Sequence, residues 1–325
     1  MAFKIIATAH QVPAQIVTND DLTQNLATSD EWIKSRTGIE TRHIVETENT
    51  SDLCTQVAQQ LLAQQNLAAT KLKAIIVATM TPDYYTPATA AIVQGQLGAT
   101  NAFAFDISAA CSGFTYALSV ARGYLQTEQD YVLVIGGEVI SKVLDWSDRS
   151  TAVLFGDGAA GVLLQGTTES DCWQGERLVT LGQQSDQLTS GYLKSVPNQW
   201  QLPGPQKLTL DTFKMAGRSI YDFSTRTVPT EIEIAVLAAG LTLDQIDYFL
   251  VHQANARLIK QLAKRLSQPL SKFPMNLQHY GNTSAASIPL LFDEEIQQGR
   301  LQRGDLCLLC GFGGGLTIGI QIIRY

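Results

Sequence analysis

The segment DISAACSGFTYAL at residues 106–118 gives the clearest indication of the fold. The apolar run AFAFDI that overlaps its start predicts a strand, the small residues predict a tight turn, and an apolar helical pattern begins at Cys111. Unpaired N–H groups in the first turn of a helix carry partial positive charge, so they would stabilise a thiolate at this cysteine. A strand that leads through a cysteine into a helix predicts an α/β protein with a candidate nucleophile. A buried structural cysteine is the alternative.

Seven other apolar runs predict strands that alternate with helical patterns, which is typical of buried sheets covered by helices. They are KAIIVAT (73–79), YVLVIGG (131–137), TAVLFGD (151–157), AAGVLLQ (159–165), YFLVHQA (248–254), LCLLCGF (306–312) and TIGIQIIR (317–324). The Asp157-Gly158 pair between two of these runs predicts a hairpin turn. Residues 166–210 are polar and lack clear periodicity, which predicts loops.

The two halves of the chain repeat one pattern. The predicted strands at Ala74 and Tyr131 lie about 57 residues apart, and those at Tyr248 and Leu306 are separated by a similar distance. Between each pair, a segment of small residues (SAACSG or NTSAAS) precedes a helical pattern. We therefore predict two similar α/β halves, residues 1–170 with the cysteine and residues 171–325.

Two polar residues in the second half are further candidates for a site. His252 ends the run YFLVHQA, and polar residues at the C-terminal edge of a buried strand commonly line sites in α/β folds. Asn282 lies in YGNTSAAS, a loop of small residues that leads into a helix. A histidine satisfied inside the core and an ordinary Gly-Asn turn are the alternatives.

The glycine run GFGGG at residues 311–315 lies between two predicted strands. A dinucleotide-binding fingerprint must open a helix, so this position excludes it. Backbone without side chains can approach a substrate closely and offer N–H groups to an oxyanion. We interpret the run in that way.

Composition and charge exclude several classes of protein. The 325 residues carry a net charge of −7, which argues against nucleic acid as a partner because phosphate recognition needs a basic surface. The N-terminal stretch does not resemble a signal peptide, and no run reaches the roughly 18 apolar residues of a membrane span. We therefore expect a cytoplasmic protein without membrane insertion.

The five cysteines are scattered along the chain, which suits a reducing cytosol better than a disulfide framework. Cys307 and Cys310 form a CxxC pair, but it lies inside an apolar run without a second ligand pair nearby. We interpret them as buried structural thiols and expect no metal site.

The segment ANARLIKQLAKRL after His252 places Arg257, Lys260 and Lys264 on one face of a predicted helix, with Arg265 beside them. In an acidic protein such a face is suited to docking an anionic partner. A solvated helix face without a partner is the alternative.

The segments DISAACSGF, LVHQANARLI, YGNTSAAS and GFGGGLTIG, in this order, closely resemble the β-ketoacyl-acyl-carrier-protein (ACP) synthase III family. SDEWIKSRTGIETRHI and MTPDYYTP resemble the same family, so the similarity extends from about residue 4 to the C-terminus. The resemblance implies a thiolase-like α/β fold, with two duplicated halves in a five-layered αβαβα arrangement, and a homodimer. It also implies condensation of a short acyl-CoA with malonyl-ACP, which gives 3-oxoacyl-ACP, CO2 and CoA without a metal or redox cofactor.

The resemblance also implies roles for individual residues. Cys111 would carry the acyl group, and His252 with Asn282 would stabilise the enolate formed by malonyl decarboxylation. Phe312 would desolvate the malonyl carboxylate. The thioester oxyanion would be held by the Cys111 N–H group and one glycine amide of the run that includes Gly313 and Gly314.

Other implied contacts concern the two substrates. The CoA contacts would be Thr28, Trp32, Arg36, Arg149, Gly217 and Asn255, with Trp32 and Arg149 enclosing the adenine. The ACP contacts would be Gln253, Arg257, Lys260, Lys264 and Arg265. Two positions depart from the family pattern. Thr86 stands where a partner's bulky Phe often caps the acyl pocket, and Arg218 stands where Asn is frequent.

Of four alternative functions, the residues disfavour two and leave two open. A degradative thiolase would have a second His in place of Asn282 and a second active Cys near Gly311. A papain-like protease would leave the glycine run without a role. A starter enzyme of polyketide or secondary metabolism and a noncatalytic acyl- or ACP-binding homologue stay open, as does the length of the primer.

Overall fold

The computed structural model of the chain describes residues 2–169, 172–192 and 210–325. Its strands are β1 (Ala2–Gln11), β2 (Ile16–Thr18), β3 (Thr41–His43), β4 (Leu72–Ala78), β5 (Phe103–Ile107), β6 (Tyr131–Glu138), β7 (Gly158–Thr167), β8 (Trp173–Thr180), β9 (Leu188–Thr189), β10 (Lys214–Met215), β11 (Tyr248–Val251), β12 (Leu306–Gly313) and β13 (Thr317–Arg324). Its α-helices are α1 (Asn19–Thr23), α2 (Asp30–Thr37), α3 (Thr50–Gln64), α4 (Thr89–Leu97), α5 (Gly113–Arg122), α6 (Arg149–Ala152), α7 (Gly217–Asp222), α8 (Val228–Ala238), α9 (Ala256–Arg265), α10 (Leu277–Tyr280) and α11 (Ser287–Gln297).

Two mixed sheets form the framework, and they share one topology. The first has the order β1-β7-β6-β4-β5 and the second the order β11-β12-β13-β8. In the first sheet β4 is parallel to β6, and β7 is antiparallel to both β6 and β1. In the second, β11 is parallel to β12, and β13 is antiparallel to both β12 and β8. The repeat of the sequence therefore reappears in the strand pairing, with β5 added at one edge.

Helices cover both faces of both sheets. Helices α5 and α11 lie between the sheets, where Phe114 and Phe292 belong to the same apolar cluster as Leu309 of β12. Helices α3 and α4 cover the outer face of the first sheet, and α8 and α9 cover the outer face of the second. Strands buried on both faces need continuous apolar runs, which explains the pattern of the sequence. The five-layered αβαβα arrangement predicted above is present.

The predicted division into residues 1–170 and 171–325 falls on residues 170 and 171, which lie outside the described part of the chain. The first sheet uses strands between residues 2 and 167, and the second uses strands between residues 173 and 324. The boundary itself stays a prediction.

The strand predicted for TAVLFGD at 151–157 is wrong. Asp148 accepts a hydrogen bond from the Ser150 N–H group and caps the short helix α6. The start of the predicted strand is therefore helical. Asp157 forms no hairpin turn, because no strand lies among the described residues between α6 and β7. Its carboxylate is buried and accepts hydrogen bonds from Val45 and Ser141. Strand β7 starts at the next residue and pairs with β1 and β6.

The loops predicted for 166–210 are also wrong in part, because β8 lies within them and β9 follows. Strands β8 and β1 are outer strands of their sheets, and outer strands accept polar residues on their solvent side. Their sequences therefore lack a simple apolar pattern, and the β1 segment was not predicted as a strand. Residues 193–209 of this stretch lie outside the described residues.

Helices α2 and α9 meet at the position where the cavity described below opens. Ser29 caps α2 by accepting the Trp32 N–H group, and α2 ends at Gly38, whose φ angle is 83°. A Cβ atom on Gly38 would lie 2.6 Å from the Cβ atom of Ala256, the first residue of α9. Glycine therefore permits both the left-handed turn and the close contact of the helices.

Among the described helices, none has both the length and the apolar character that crossing a bilayer requires.

Candidate active site

A cavity of about 280 Å³ brings together side chains from both halves of the chain. Cys111 reaches it from the first half, and His252, Asn282 and Phe312 reach it from the second. Its apolar wall consists of Leu154, Phe155, Leu188, Phe213, Met215 and Phe223. Sequence reasoning missed this wall, because several of its members come from segments without clear periodicity. A mostly apolar cavity with a few convergent polar groups is the usual form of a small-molecule site.

Cys111 lies in a 3₁₀ turn, Ala110–Ser112, between β5 and α5. The backbone of β12 passes directly against this turn. A Cβ atom on Gly313 would lie 3.0 Å from Cys111 Sγ, and one on Gly311 would lie 2.7 Å from the Cα atom of Ser112. Side chains at these glycines would push β12 away from the cysteine, so the glycine run sets the distance between the β12 backbone and the Cys111 thiol.

The Cys111 thiol is 7% exposed. Burial raises its pKa to about 12, and the charge of Glu138 acts in the same direction. The Ser284 hydroxyl and the Cys111 N–H group lower the pKa, but their effect is smaller than that of burial. The free site thus holds a protonated thiol, whereas the sequence predicted a stabilised thiolate. Removal of the thiolate from water outweighs the helix N-terminus here.

His252 follows the last residue of β11 and is 2% exposed. Its backbone N–H group donates to Cys310, and its Nδ1 atom lies 2.7 Å from Ser287 Oγ. Burial lowers its pKa to about 3, so the imidazole is neutral at physiological pH. The ring of Phe312 stands at 84° to the imidazole, with the two centroids 5.5 Å apart.

Asn282 is held by hydrogen bonds on both its backbone and its side chain. Its N–H group donates to Leu154, and its carbonyl oxygen accepts from Gly156. The Oδ1 atom accepts the Ser284 N–H group at 2.9 Å. Because Oδ1 is used in this way, the NH2 group of Asn282 is the part of its amide that can donate to a molecule in the cavity.

Sequence reasoning missed Glu138, which is fully buried at the end of β6. Its carboxylate accepts hydrogen bonds from Thr79, Met80 and Thr81 after β4 and from Ser284 Oγ at 3.1 Å. Burial raises its pKa to about 7. The carboxylate connects the loop after β4 to the loop that carries Asn282. Glu138 follows the apolar run YVLVIGG directly, as His252 follows YFLV. This position at the end of a buried strand was the signal from which Glu138 could have been predicted as a site residue.

The side chains predicted to enclose an adenine are already in contact with each other. The guanidinium carbon of Arg149 lies 4.6 Å from the centre of the Trp32 ring, and that of Arg36 lies 4.7 Å from it. Arg149 also donates to the Ala27 carbonyl oxygen. A base inserted between two flat groups needs about 7 Å, twice a contact distance of about 3.5 Å, so Arg149 has to move away before a base can enter.

The mouth of the cavity is formed by Arg36, Asn255 and Arg257, with Gly217 at the start of α7. Asn255 caps α9 by accepting the Arg257 N–H group and donates to the Arg36 carbonyl oxygen. Thr28 lies near this region of the chain. Its hydroxyl is buried and has no hydrogen-bond partner among the described residues.

Of the five residues predicted to contact ACP, four are exposed on α9: Arg257, Lys260, Lys264 and Arg265. The fifth residue, Gln253, is buried instead. It is 1% exposed, and its amide donates to Val251 and accepts from the Asn276 N–H group. Gln253 lies between β11 and α9, and these two hydrogen bonds connect the end of β11 to the segment at Asn276.

Two predicted pocket residues lie off the cavity wall. Thr86 is exposed in the loop between β4 and α4 and precedes Pro87 through a cis peptide bond. Gly314 packs beside Leu188, whose Cδ2 atom would be 3.0 Å from a Cβ atom on this glycine. Among the described residues, no group of three or more His, Cys, Asp or Glu side chains is arranged to hold a metal ion.

Comparison with known proteins identifies the family. A family model described as 3-oxoacyl-[acyl-carrier-protein (ACP)] synthase III matches residues 105–182, and the model of its C-terminal part matches residues 236–325. Beta-ketoacyl-[acyl-carrier-protein] synthase III of Latilactobacillus sakei subsp. sakei (strain 23K) is 71% identical over 327 residues, covering 100% of both chains. The chain belongs to the β-ketoacyl-ACP synthase III family.

A second relative and two solved structures agree with this assignment. The protein of that name from Limosilactobacillus reuteri (strain DSM 20016) is 52% identical, covering 99% of each chain. The crystal structure of 3-oxoacyl-[acyl-carrier-protein] synthase III from Aquifex aeolicus VF5 superimposes with a TM-score of 0.91 at 39% identity, over 99% of this chain and 100% of that chain. The priming beta-ketosynthase of the R1128 polyketide biosynthetic pathway gives 0.89 at 29% identity, over 99% and 96%. The thiolase-like fold predicted from the sequence is thereby confirmed.

The buried His252 should make the protein less stable in acid. Its pKa is about 3 in the folded chain and about 6.5 in an unfolded one. Between these values the unfolded chain binds one more proton, so the free energy of unfolding falls as the pH falls. When the pH falls from 7.5 to 5, His252 should lower the free energy of unfolding by about 2 kcal/mol.

Urea unfolding of the wild type and of His252→Asn at both pH values measures this contribution. Between pH 7.5 and pH 5, the free energy of unfolding of the wild type should fall by about 2 kcal/mol more than that of His252→Asn. A difference that does not change with pH would show that His252 is not held neutral by burial.

Proposed function

We propose that this chain is a β-ketoacyl-ACP synthase III that condenses a short acyl-CoA with malonyl-ACP, and so starts fatty acid synthesis. The observation that carries the proposal is the convergence of Cys111, His252 and Asn282 on one apolar cavity. Relatives of the same length that are 71% and 52% identical are named for this activity. The steps below need no metal or redox cofactor.

In the first step the Cys111 sulfur attacks the thioester carbonyl of acyl-CoA. The new Sγ–C bond replaces the bond from carbon to the CoA sulfur, and the thiol proton leaves with the CoA thiolate. The Cys111 N–H group and an amide of Gly313 or Gly314 stabilise the oxyanion. The close passage of β12 over the cysteine supports this role for the glycine run.

In the second step malonyl-ACP loses CO2, and an enolate forms on its thioester. No proton is removed from carbon, so the site needs hydrogen-bond donors and does not need a strong base. A neutral His252 and the NH2 group of Asn282 are suited to this task. Phe312 beside the imidazole keeps the malonyl carboxylate poorly solvated, which favours its loss. The enolate carbon then forms a bond to the acyl carbon, the bond from that carbon to Cys111 Sγ breaks, and the thiolate released takes up a proton from water.

The mouth of the cavity supports the proposed CoA contacts. Arg36 and Asn255 line it, Gly217 leaves backbone exposed beside it, and Trp32 offers an aromatic face nearby. The buried Thr28 hydroxyl lacks a partner among the described residues and could acquire one from a bound CoA. Arg149 would stack on the far side of the base once it has moved away from Trp32.

Substitution of the three polar residues separates the two steps. Cys111→Ser should abolish acyl-enzyme formation and condensation together, because Cys111 alone bonds to the acyl group. His252→Ala and Asn282→Ala should retain much of the acylation and lose malonyl decarboxylation by about 10²- to 10³-fold, the usual cost of one oxyanion donor. Mass spectrometry after incubation with acetyl-CoA measures acylation, and release of labelled CO2 from malonyl-ACP measures decarboxylation.

The same assays address the alternatives. A noncatalytic acyl-binding homologue would take up no covalent acyl group. A starter enzyme of a polyketide pathway would carry out both steps but prefer other primers, which a panel of acyl-CoA substrates reveals. Unimpaired decarboxylation in both His252→Ala and Asn282→Ala would contradict the assigned roles.

We propose that the exposed face of α9 docks ACP. Lys260, Lys264 and Arg265 lie on the surface beyond the cavity mouth, in a chain of net charge −7. Arg257 joins them but also lines the mouth and donates to the Ser35 carbonyl oxygen. ACP is acidic, so long-range attraction to the basic face of α9 would orient it before contact. The malonyl group that it carries would then point toward the cavity.

Charge reversal at Lys260→Glu with Lys264→Glu should raise the KM for malonyl-ACP steeply and leave acyl transfer from acetyl-CoA nearly unchanged. These lysines lie outside the cavity wall, so the pair is cleaner than a variant of Arg257. Lys4→Glu with Lys71→Glu is the matched control, since both residues are exposed in the first half and the charge change is equal. Added salt should weaken the wild-type interaction, because exposed charges are screened over about 8 Å.

Titrations with malonyl-ACP at low salt decide the question. If the α9 variant and the control show the same dependence on malonyl-ACP, this face is only solvated.

We also propose a homodimer, formed through the edge of β5, in the cytoplasm. Strand β5 is the outer strand of its sheet, and an uncovered edge can pair with another chain. Phe103 is 42% exposed there, stacks with Phe105 and meets the ring of Tyr124 edge to face. Val120 of α5 is 40% exposed.

The same edge supports a role for Thr86 at a partner's pocket. Asp106 of β5 accepts the N–H groups of Thr89 and Ala90, so it holds the end of the loop that carries Thr86. In a dimer formed through β5 this loop would face the partner, where the small Thr86 would leave space for primers longer than acetyl.

Phe103→Glu should dissociate the dimer, because it places a charge in the proposed contact. Leu237→Glu is the control, since this leucine is 77% exposed on α8 in the outer layer. Light scattering coupled to gel filtration should give the mass of two 35.4 kDa chains for the wild type and the control, and of one chain for Phe103→Glu. A monomeric wild type, or a dimer that survives Phe103→Glu, would contradict the proposed interface.

A further inference from the structure

The contact between His252 and Ser287 links a serine hydroxyl to the protonation of the imidazole. Nδ1 of His252 lies 2.7 Å from Ser287 Oγ, and both residues are 2% exposed. If Nδ1 carries the ring hydrogen, the serine accepts it. If the hydroxyl donates instead, Nδ1 accepts, and the hydrogen of the neutral ring lies on Nε2.

A second hydrogen bond distinguishes these two arrangements. Ser287 Oγ also accepts the backbone N–H group of Gln253, at 3.5 Å. Among the described residues, His252 and Gln253 are the hydrogen-bond partners of this hydroxyl. With the hydrogen on Nδ1, the oxygen would accept two bonds and its own buried hydrogen would have no acceptor, which is unfavourable. With the hydroxyl donating to Nδ1, every hydrogen is used.

We propose that Ser287 is a positioning residue that fixes the Nε2–H tautomer of His252, so that the imidazole meets the substrate as a hydrogen-bond donor. The inference deepens the proposed function and rests on it for the effect on catalysis. As CO2 leaves, the malonyl thioester oxygen becomes negative, and only a ring with its hydrogen on Nε2 can donate to it. In the other tautomer, the Nε2 lone pair would face that oxygen.

The same turn orients the second donor of the site. Ser284 holds Asn282 Oδ1 through its backbone N–H group, and Ser287 holds His252 Nδ1 through its side chain. Residues 284–287 lead directly into α11. One short segment therefore determines that both polar groups offer hydrogens, and not lone pairs, to the cavity.

The tautomer can be measured in the free protein. Long-range ¹H–¹⁵N correlation spectra of protein labelled at its four histidines separate protonated from unprotonated ring nitrogens. His252→Asn assigns the signals of His252 by their loss. These signals should not titrate between about pH 5 and pH 8, because burial lowers the pKa of His252 to about 3.

We expect a protonated Nε2 in the wild type and a population with protonated Nδ1 in Ser287→Ala. Nδ1–H as the main form of the wild type would overturn the proposal. An unchanged Nε2–H form in Ser287→Ala would also overturn it, because another group would then fix the ring. If Ser287→Ala does not fold, the wild-type spectrum still decides.

Kinetics then test the consequence for the reaction. Ser287→Ala should lower kcat for malonyl-ACP decarboxylation by about 10-fold, as loss of a group that orients a functional histidine does elsewhere. KM and the acylation of Cys111 should stay close to those of the wild type. Ser287→Thr keeps the hydroxyl and should recover most of the rate.

Thr225→Val is the control for loss of a buried hydroxyl. Thr225 donates to the Tyr221 carbonyl oxygen, is 5% exposed, and does not line the cavity that contains His252. Equal losses in Thr225→Val and Ser287→Ala would reduce Ser287 to a structural role and overturn the proposal. Failure of the proposed function is distinguishable, because Cys111 would then take up no acyl group whatever the NMR spectra show.

Discussion

The contact between β12 and the turn that carries Cys111 is the constraint on which the rest of the site depends. Each element belongs to a different sheet, and the glycines at 311 and 313 let their backbones meet with almost no intervening side chain. Close-packed interiors do not yield to an added side chain without a shift of backbone. This single contact therefore brings the Cys111 thiol of the first half into one cavity with the imidazole and the amide of the second half.

The place of the site between the sheets also sets its electrostatics. Burial raises the pKa of Cys111 and lowers that of His252, so both groups are neutral in the free protein. Stabilisation of a transient anion then depends on fixed dipoles, which keep their orientation when water is excluded. The buried carboxylate of Glu138 contributes by holding two loops in place through hydrogen bonds.

Much of this arrangement could be predicted from the sequence, because strands buried on both faces give apolar runs and the residues that follow them face a common edge. Cys111 and His252 were found in this way. The helix at 149–152 was missed because its last two residues, Thr151 and Ala152, begin the run TAVLF, which is typical of a buried strand. The burial of Gln253 could not be predicted because it depends on the path of the chain after β11. The outer strands β1 and β8 carry too many polar residues for a clear pattern.

The stacking of Arg149 on Trp32 bears on how the two substrates take turns. In a double-displacement reaction, the first product has to leave before the second substrate can enter through the same cavity mouth. If the nucleotide of CoA binds at Trp32 as proposed, the Arg149 guanidinium that rests on the indole would compete with it for one surface, and each departing nucleotide would be replaced at once by a group tethered to the protein. This competition would weaken recognition of the nucleotide and would speed the replacement of CoA by the second substrate.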